Sequence, residues 1–263
     1  MLTGQAAHPY LDVPYPLGMA HRGFSTDGLE NTMVAFEAAV ALGMTHVETD
    51  VHATRDGVLV AFHDLELDRV TDGHGGIADA TWEEIRRVRV GGREPVPLLE
   101  DLLGAWPHLR VNIDVKDWPA VTPLVDVLRR TSSVDRVCVA SFDDRRSAAV
   151  RRLIGPGLAT SPGRRGVARW RAASLAPPPL ARGRLRWPQG TVALQVPAAA
   201  GPLPVVTAGS VRAAHRSGLQ VHVWTVNDEH EMDRLLDLGV DGLISDRADT
   251  LARVLSRRRS QTA

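Results

Sequence analysis

Short apolar runs alternate with amphipathic stretches along almost the whole chain, and few folds accept that rhythm. Strand-like runs lie at residues 17–21, 46–51, 111–116, 136–141, 157–160, 192–196, 219–227 and 242–245. Helical spacing of apolar residues follows most of them, as at 32–42, 121–130, 144–153 and 228–238, with a last helix running through Arg253. Eight strand–helix units in 263 residues predict an α/β chain folded as a (β/α)8 TIM barrel, a single domain spanning 1–263. A doubly wound sheet shares the alternation and is the alternative, but the number of units favours the barrel. After the turn residues "RDG", the apolar run at 58–62 extends the second strand into a β-hairpin. Helices are then expected in "TWEEIRRV" and "PLLEDLLGAW".

One segment, near 160–205, fits the rhythm poorly and is expected to be irregular. It is rich in Pro and Arg, as in "APPPLARGRLRWPQG", and residues 145–227 contain no Asp or Glu. Two readings stand. The segment is a solvated loop with a helix, or a basic lip over the strand ends that draws an anionic substrate or headgroup. In the second reading Trp170 and Trp187 reach lipid, a weak peripheral membrane contact; otherwise they cover the barrel.

Charge and apolar runs narrow the partners. The 31 Lys and Arg residues balance the 31 Asp and Glu residues, so global charge argues against nucleic acid. No apolar run approaches the roughly 18 residues that span a bilayer, and no basic start with an apolar segment opens the chain, so a cytoplasmic protein is expected. Cys138 is the only cysteine and sits in the apolar run "RVCVASF", where it is expected to be buried. Lys116 is the only lysine, and it ends the strand in "RVNIDVKDW".

In a (β/α)8 barrel the working residues lie at the carboxyl ends of the strands and in the loops beyond them. Those positions hold His21 and Arg22, Glu48 and Asp50, His63 and Asp64, Asp114 and Lys116, Ser141, and Trp224 and Asn227. In "MAHRGFSTDGLENTMVAFEAAVALG" folding explains the apolar strand, the loop glycines and a helix cap at Asn31 or Thr32. It does not explain His21, Arg22 and Glu30.

Strand side chains alternate faces, so Glu48 and Asp50 point the same way, as do Asp114 and Lys116. Neighbouring carboxylates inside a barrel repel one another and call for a cation. Glu48, Asp50 and Asp114 form an all-oxygen set suited to a hard divalent ion; a salt-bridge cluster with Arg22 and Lys116 is the alternative. His21 and His63 stand at strand exits with acidic neighbours and are candidates for a proton-transfer pair. His52 shares the face of Glu48 and Asp50 and is a candidate support. The chain has no phosphate-binding loop ending in Lys-Ser or Lys-Thr, no G-x-G-x-x-G and no G-x-S-x-G, which argues against a nucleotide-driven kinase or an α/β-hydrolase.

The blocks "AHRG", "ENTMVAFEAAVALG", "VETDVHATRDGVLVAFHDLELDRVTDG", "VNIDVK", "VHVWTVND" and "LGVDGLISDRAD" resemble, in order and spacing, those of the glycerophosphodiester phosphodiesterases. The resemblance covers nearly the whole chain, is densest over 18–72 and is thin over 155–205. It implies a (β/α)8 barrel that hydrolyses small-molecule glycerophosphodiesters to glycerol 3-phosphate and an alcohol with one divalent ion, Mg²⁺ or Ca²⁺. It also places His21 and His63 on the acid/base histidines and Glu48 and Asp50 on two metal carboxylates. Asp114 falls where a third stands, most often Glu. Arg22 and Lys116 fall on phosphate-binding cations, Glu30 on an acid that steadies the site, and Trp224 in the substrate pocket. Leu29 replaces the usual Pro, and Asp114 shortens its ligand by one methylene. The alternative activities are a lysophospholipase D-like or other headgroup phosphodiesterase, and a non-catalytic barrel that only binds phosphodiesters.

Overall fold

In a computed structural model, which describes residues 8–175 and 185–262, eight parallel strands form the wall of a nearly closed barrel. They are β1 (Leu17–His21), β2 (His46–Ala53), β3 (Arg110–Val115), β4 (Val137–Ala140), β5 (Ala159–Thr160), β6 (Ala193–Pro197), β7 (Gln220–Trp224) and β8 (Gly242–Ser245). Hydrogen bonding links them in the order β5-β4-β3-β2-β1-β8-β7-β6. Thr160 draws the two ends together. Its N–H donates to the Gly190 carbonyl at 2.7 Å, and its own carbonyl accepts from Val192 at 3.0 Å, just before β6.

Eight helices follow the strands: α1 (Met33–Ala41), α2 (Leu99–Ala105), α3 (Val121–Arg130), α4 (Asp144–Ile154), α5 (Arg164–Ser174), α6 (Ala208–Arg216), α7 (Glu229–Asp237) and α8 (Ala248–Thr262). Their starts are written in the sequence. Thr32 accepts from the Ala35 N–H at 3.3 Å, and Asp228 accepts from the Glu231 N–H at 2.8 Å. Strands covered on both faces need apolar residues on both, and every residue of β2 is buried. The main core joins Val47 and Val111 of the strands to Phe36, Leu102, Leu124 and Leu251 of the helices.

The amino-terminal mouth of the barrel is plugged by the turn Pro9–Leu11. Tyr10 is fully buried there, edge-on to His46 at 4.9 Å, and its carbonyl accepts from His46 Nε2 at 2.9 Å. Free, buried Cys138 belongs to the same cluster. At the opposite mouth the chain makes a long excursion between β2 and α2. Leu59–Ala61 pairs antiparallel with β2, and Val60, Phe62, Leu67, Ile77, Ile85 and Val90 give the excursion a core of its own.

Two expectations change. "TWEEIRRV" makes only one helical turn, Trp82–Ile85, while the last helix runs through Arg253 as expected and ends at Thr262. The segment at 160–205 is also more regular than its composition suggests, because α5, β6 and an antiparallel pair, Ala199–Ala200 with Leu203–Pro204, all lie in it. The Pro-rich residues 176–184 are outside the described residues. Trp170 has no exposed surface, and its Nε1 donates to the Ser210 carbonyl at 3.2 Å, which excludes a lipid contact. Trp187 packs against the main core with the Arg169 guanidinium 4.4 Å from its ring centre. Among the described residues no helix is long and apolar enough to cross a membrane.

Candidate active site

β1 ends at His21 in a sharp turn. Arg22 adopts a left-handed backbone with φ 54°, and Gly23 follows with φ 83°. A Cβ on Gly23 would lie 2.7 Å from the backbone carbon of Ala35, so only glycine lets the turn sit against α1. The Arg22 N–H consequently donates to Glu48 Oε2 at 3.2 Å, and Nη1 donates to Glu30 Oε1 at 2.8 Å. Its Nε approaches Asp50 Oδ2 at 3.3 Å without an aligned hydrogen bond, so that contact is one of charge alone. Asn31, also left-handed at φ 55°, donates from Nδ2 to Asp50 Oδ2 at 3.2 Å and accepts from Thr49 Oγ1 at 2.7 Å.

Parallel register sets His21 beside Glu48 and Asp50 beside Asp114. Lys116 Nζ bridges the second pair, 2.7 Å from Asp50 Oδ1 and 2.8 Å from Asp114 Oδ2. His63 leaves the excursion's core with Nδ1 donating to Asp64 Oδ1 at 2.6 Å. Asp64 Oδ2 accepts from Arg69 Nε, and Arg69 donates to both oxygens of Glu30 at 2.7 and 3.2 Å. One line of alternating charge thus runs from His63 to Asp114. On the other side, His21 Nδ1 donates to Asp246 Oδ1 at 2.5 Å, and Asp246 Oδ2 accepts from Asn227 Nδ2 at 2.8 Å. Ionised carboxylates only accept, so both imidazoles carry hydrogen on Nδ1, and His21 Nε2 lies 3.7 Å from Glu48 Oε2.

Burial sets the titration of the site. It pushes Glu48 up to about 8, helped by the charge of Asp50. It also raises Asp114, whose Oδ1 is buried without a partner. Burial opposes charge on Asp50 too, but Lys116 and then Arg22 outweigh it and hold that carboxyl low. At His21 burial is overcome by Glu48 and Asp246, and the pKa rises; at His63 burial prevails and it falls. For Lys116 and Glu30 the neighbouring opposite charges outweigh burial, so the ammonium is raised and the carboxyl lowered.

A cavity of about 510 Å³ opens over these groups, lined by His21, Arg22, Glu48, Asp50, His63, Asp114, Lys116 and Trp224. Glu30 stands behind the wall, between Arg22 and Arg69. Trp224 meets Phe142 edge-to-face at 5.8 Å. His52 is turned to Asp117, with Nδ1 to Oδ2 at 2.7 Å, and to the His63 carbonyl at 3.2 Å, so it supports the loop rather than lining the cavity. Among the described residues no three His, Cys, Asp or Glu side chains converge as a ready metal cluster. The donor chemistry nonetheless suits a hard cation: two buried carboxyls are raised, and one oxygen lacks a partner.

A sequence profile described as the glycerophosphoryl diester phosphodiesterase family matches residues 21–250, nearly the whole barrel. The chain belongs to this family. Membership makes it a phosphoric diester hydrolase. It is 40% identical over 245 residues to a Mycobacterium tuberculosis protein named Probable glycerophosphodiester phosphodiesterase 2, covering 92% of this chain and 91% of the relative. It is 30% identical over 259 residues to a glycerophosphodiester phosphodiesterase of Caldanaerobacter subterraneus, covering 92% and 98%. In fold it is similar to the glycerophosphodiester phosphodiesterase structure from Agrobacterium tumefaciens, with a TM-score of 0.72 at 23% identity over 90% of this chain and 99% of that one.

Within this glycerophosphoryl diester phosphodiesterase barrel, three residues join the site without a clear sequence signal. Asn31 reads as a cap, yet Thr32 takes the cap and Asn31 holds Asp50. Arg69 reads as a loop charge, with only its place in "HDLELDR" to mark it. Asp246 follows β8 and meets His21 from the far end of the chain.

Proposed function

We propose that the chain hydrolyses glycerophosphodiesters to glycerol 3-phosphate and an alcohol, as one barrel domain acting in the cytoplasm with Mg²⁺ or Ca²⁺ bound. The observation that carries this reading is that two imidazoles, His21 and His63, each anchored at Nδ1, line one cavity with the cations Arg22 and Lys116. Arg22 and Lys116 hold the phosphate oxygens, and Glu30 fixes the direction of Arg22. One imidazole takes the proton of the attacking hydroxyl, which belongs to water or to the substrate's own glycerol. The other gives a proton to the alcohol oxygen as its bond to phosphorus breaks. With water, one P–O bond forms and one breaks. With the glycerol hydroxyl, a cyclic phosphate forms first and water opens it.

Glu48, Asp50 and Asp114 are the residues that would hold the ion. When bound, it withdraws charge from the phosphoryl oxygens. Trp224 forms part of the pocket wall beside the departing alcohol.

The test is a panel of glycerophosphodiesters incubated with the protein and Mg²⁺ or Ca²⁺, with free glycerol 3-phosphate as the readout. Release that stops with chelator and returns with the ion is the expected result. Absence of glycerol 3-phosphate across the panel at verified metal loading overturns the reading.

A further inference from the structure

The far side of the same cavity differs from its catalytic floor. α5 follows β5, four strands round the ring from β1, and contributes Arg164 and Arg171 to the cavity wall. Arg171 donates to the Ser174 hydroxyl and to the Pro204 carbonyl, both at 3.1 Å and both neutral acceptors. The Arg164 guanidinium lies 5.1 Å from the Phe142 ring centre, and Lys116 Nζ lies 5.8 Å from that same centre. Residues 145–227, which include α5 and β6, contain no acid. Asp144, just before them, accepts from the N–H groups of Gly163, Arg165 and Gly166.

We propose that this half of the pocket selects a glycerophosphodiester whose alcohol carries its own negative charge, such as a phosphorylated polyol, over one whose alcohol is choline or ethanolamine. The proposal rests on the phosphodiesterase reading above. A phosphate on the alcohol meets two guanidinium groups that no carboxylate neutralises among the described residues, each with the fork geometry that suits it. A quaternary ammonium meets like charge there. The aromatic face of Phe142 on this side already has two cations beside it. The cavity's carboxylates stand on β2 and β3, where Arg22 and Lys116 engage Asp50 and Asp114.

Titration calorimetry with inositol 1,4-bisphosphate and with phosphocholine reads this preference without turnover. The bisphosphate is expected to bind about tenfold more tightly at low salt, and the gap narrows as salt rises. The kcat/KM values for the glycerophosphodiester of inositol 4-phosphate and for that of choline, measured with the ion supplied, follow the same order. Replacing both arginines, Arg164→Gln with Arg171→Gln, removes most of the preference, whereas Arg164→Lys with Arg171→Lys retains it. Equal or tighter binding of phosphocholine overturns the proposal, as does a preference that survives the double Gln variant. A protein that cleaves none of the diesters yet prefers the bisphosphate through these arginines overturns the phosphodiesterase reading and leaves the charge selection standing.

Discussion

Nδ1 of His21 lies 2.5 Å from Oδ1 of Asp246, a residue 225 positions away in the chain. Asn227 holds the other oxygen of Asp246, so the imidazole is oriented by a carboxylate that is itself oriented. Asp246→Asn keeps the shape and removes the charge. It should lower kcat by about 10²- to 10⁴-fold, since the imidazole loses the charge that fixes its tautomer and orientation, with KM little changed. In the background of His21→Ala the same change should cost almost nothing further. Additive losses would detach Asp246 from His21.

His21→Ala and His63→Ala should each reduce kcat by about 10²- to 10⁴-fold. A diester with a nitrophenolate leaving group needs no acid, so it should restore turnover in one variant only and thereby identify the acid. Near wild-type turnover in either variant would remove that histidine from the reaction.

Asp114→Asn should raise the Mg²⁺ or Ca²⁺ concentration for half activity by about tenfold or more, and Asp114→Glu should not. An unchanged midpoint in Asp114→Asn would leave Glu48 and Asp50 as the protein's metal carboxylates and make Asp114 a partner of Lys116 alone.

Acid should destabilise the fold through two histidines remote from the cavity. Burial depresses His46 from 6.5 to about 3 and His222 from 6.5 to about 4. Above pH 6.5 both rings are neutral in the folded and unfolded chain, and their contribution to stability is complete. Below it the unfolded chain takes up protons that the folded one refuses. That contribution then falls by up to about 1.4 kcal/mol per histidine per pH unit, until the folded values are reached. Denaturant midpoints of the parent and of a variant with His46→Gln and His222→Gln, compared between pH 7 and pH 5, check this, because the raised Glu48 and His21 act oppositely but equally in both. The same pH dependence in parent and variant would show that the two rings are not held neutral by the fold.

Trp170→Ala should destabilise by about 3–5 kcal/mol, since the ring is fully buried and its Nε1 satisfies the Ser210 carbonyl. Thermal melting of the variant measures the loss. A variant as stable as the parent would contradict the packing of α5 against α6.

The barrel was legible because its period is local: each apolar strand and each capped helix can be recognised within about ten residues of chain. The same holds for Glu48 with Asp50, and for Asp114 with Lys116, whose spacing sets them on one face. What stayed hidden depends on distance along the chain. Asp246 touches His21 only because β8 closes beside β1. Arg69 is drawn to Glu30 by the fold of the excursion. Trp170 was masked by composition, for an Arg-rich helix with one buried face reads as a solvated segment until its neighbour is known.

Lys116 is the chain's one side-chain amine, and it is lodged between Asp50 and Asp114 at the base of the cavity. Every other long cationic side chain ends in a guanidinium. Acylating reagents, reductive alkylation and lysine-specific proteases therefore find a single side-chain address in this molecule, and that address is the proposed phosphate pocket. Asp50 and Asp114 hold that nitrogen as an ammonium, so its acylation should be slow at neutral pH and should quicken in Asp114→Asn.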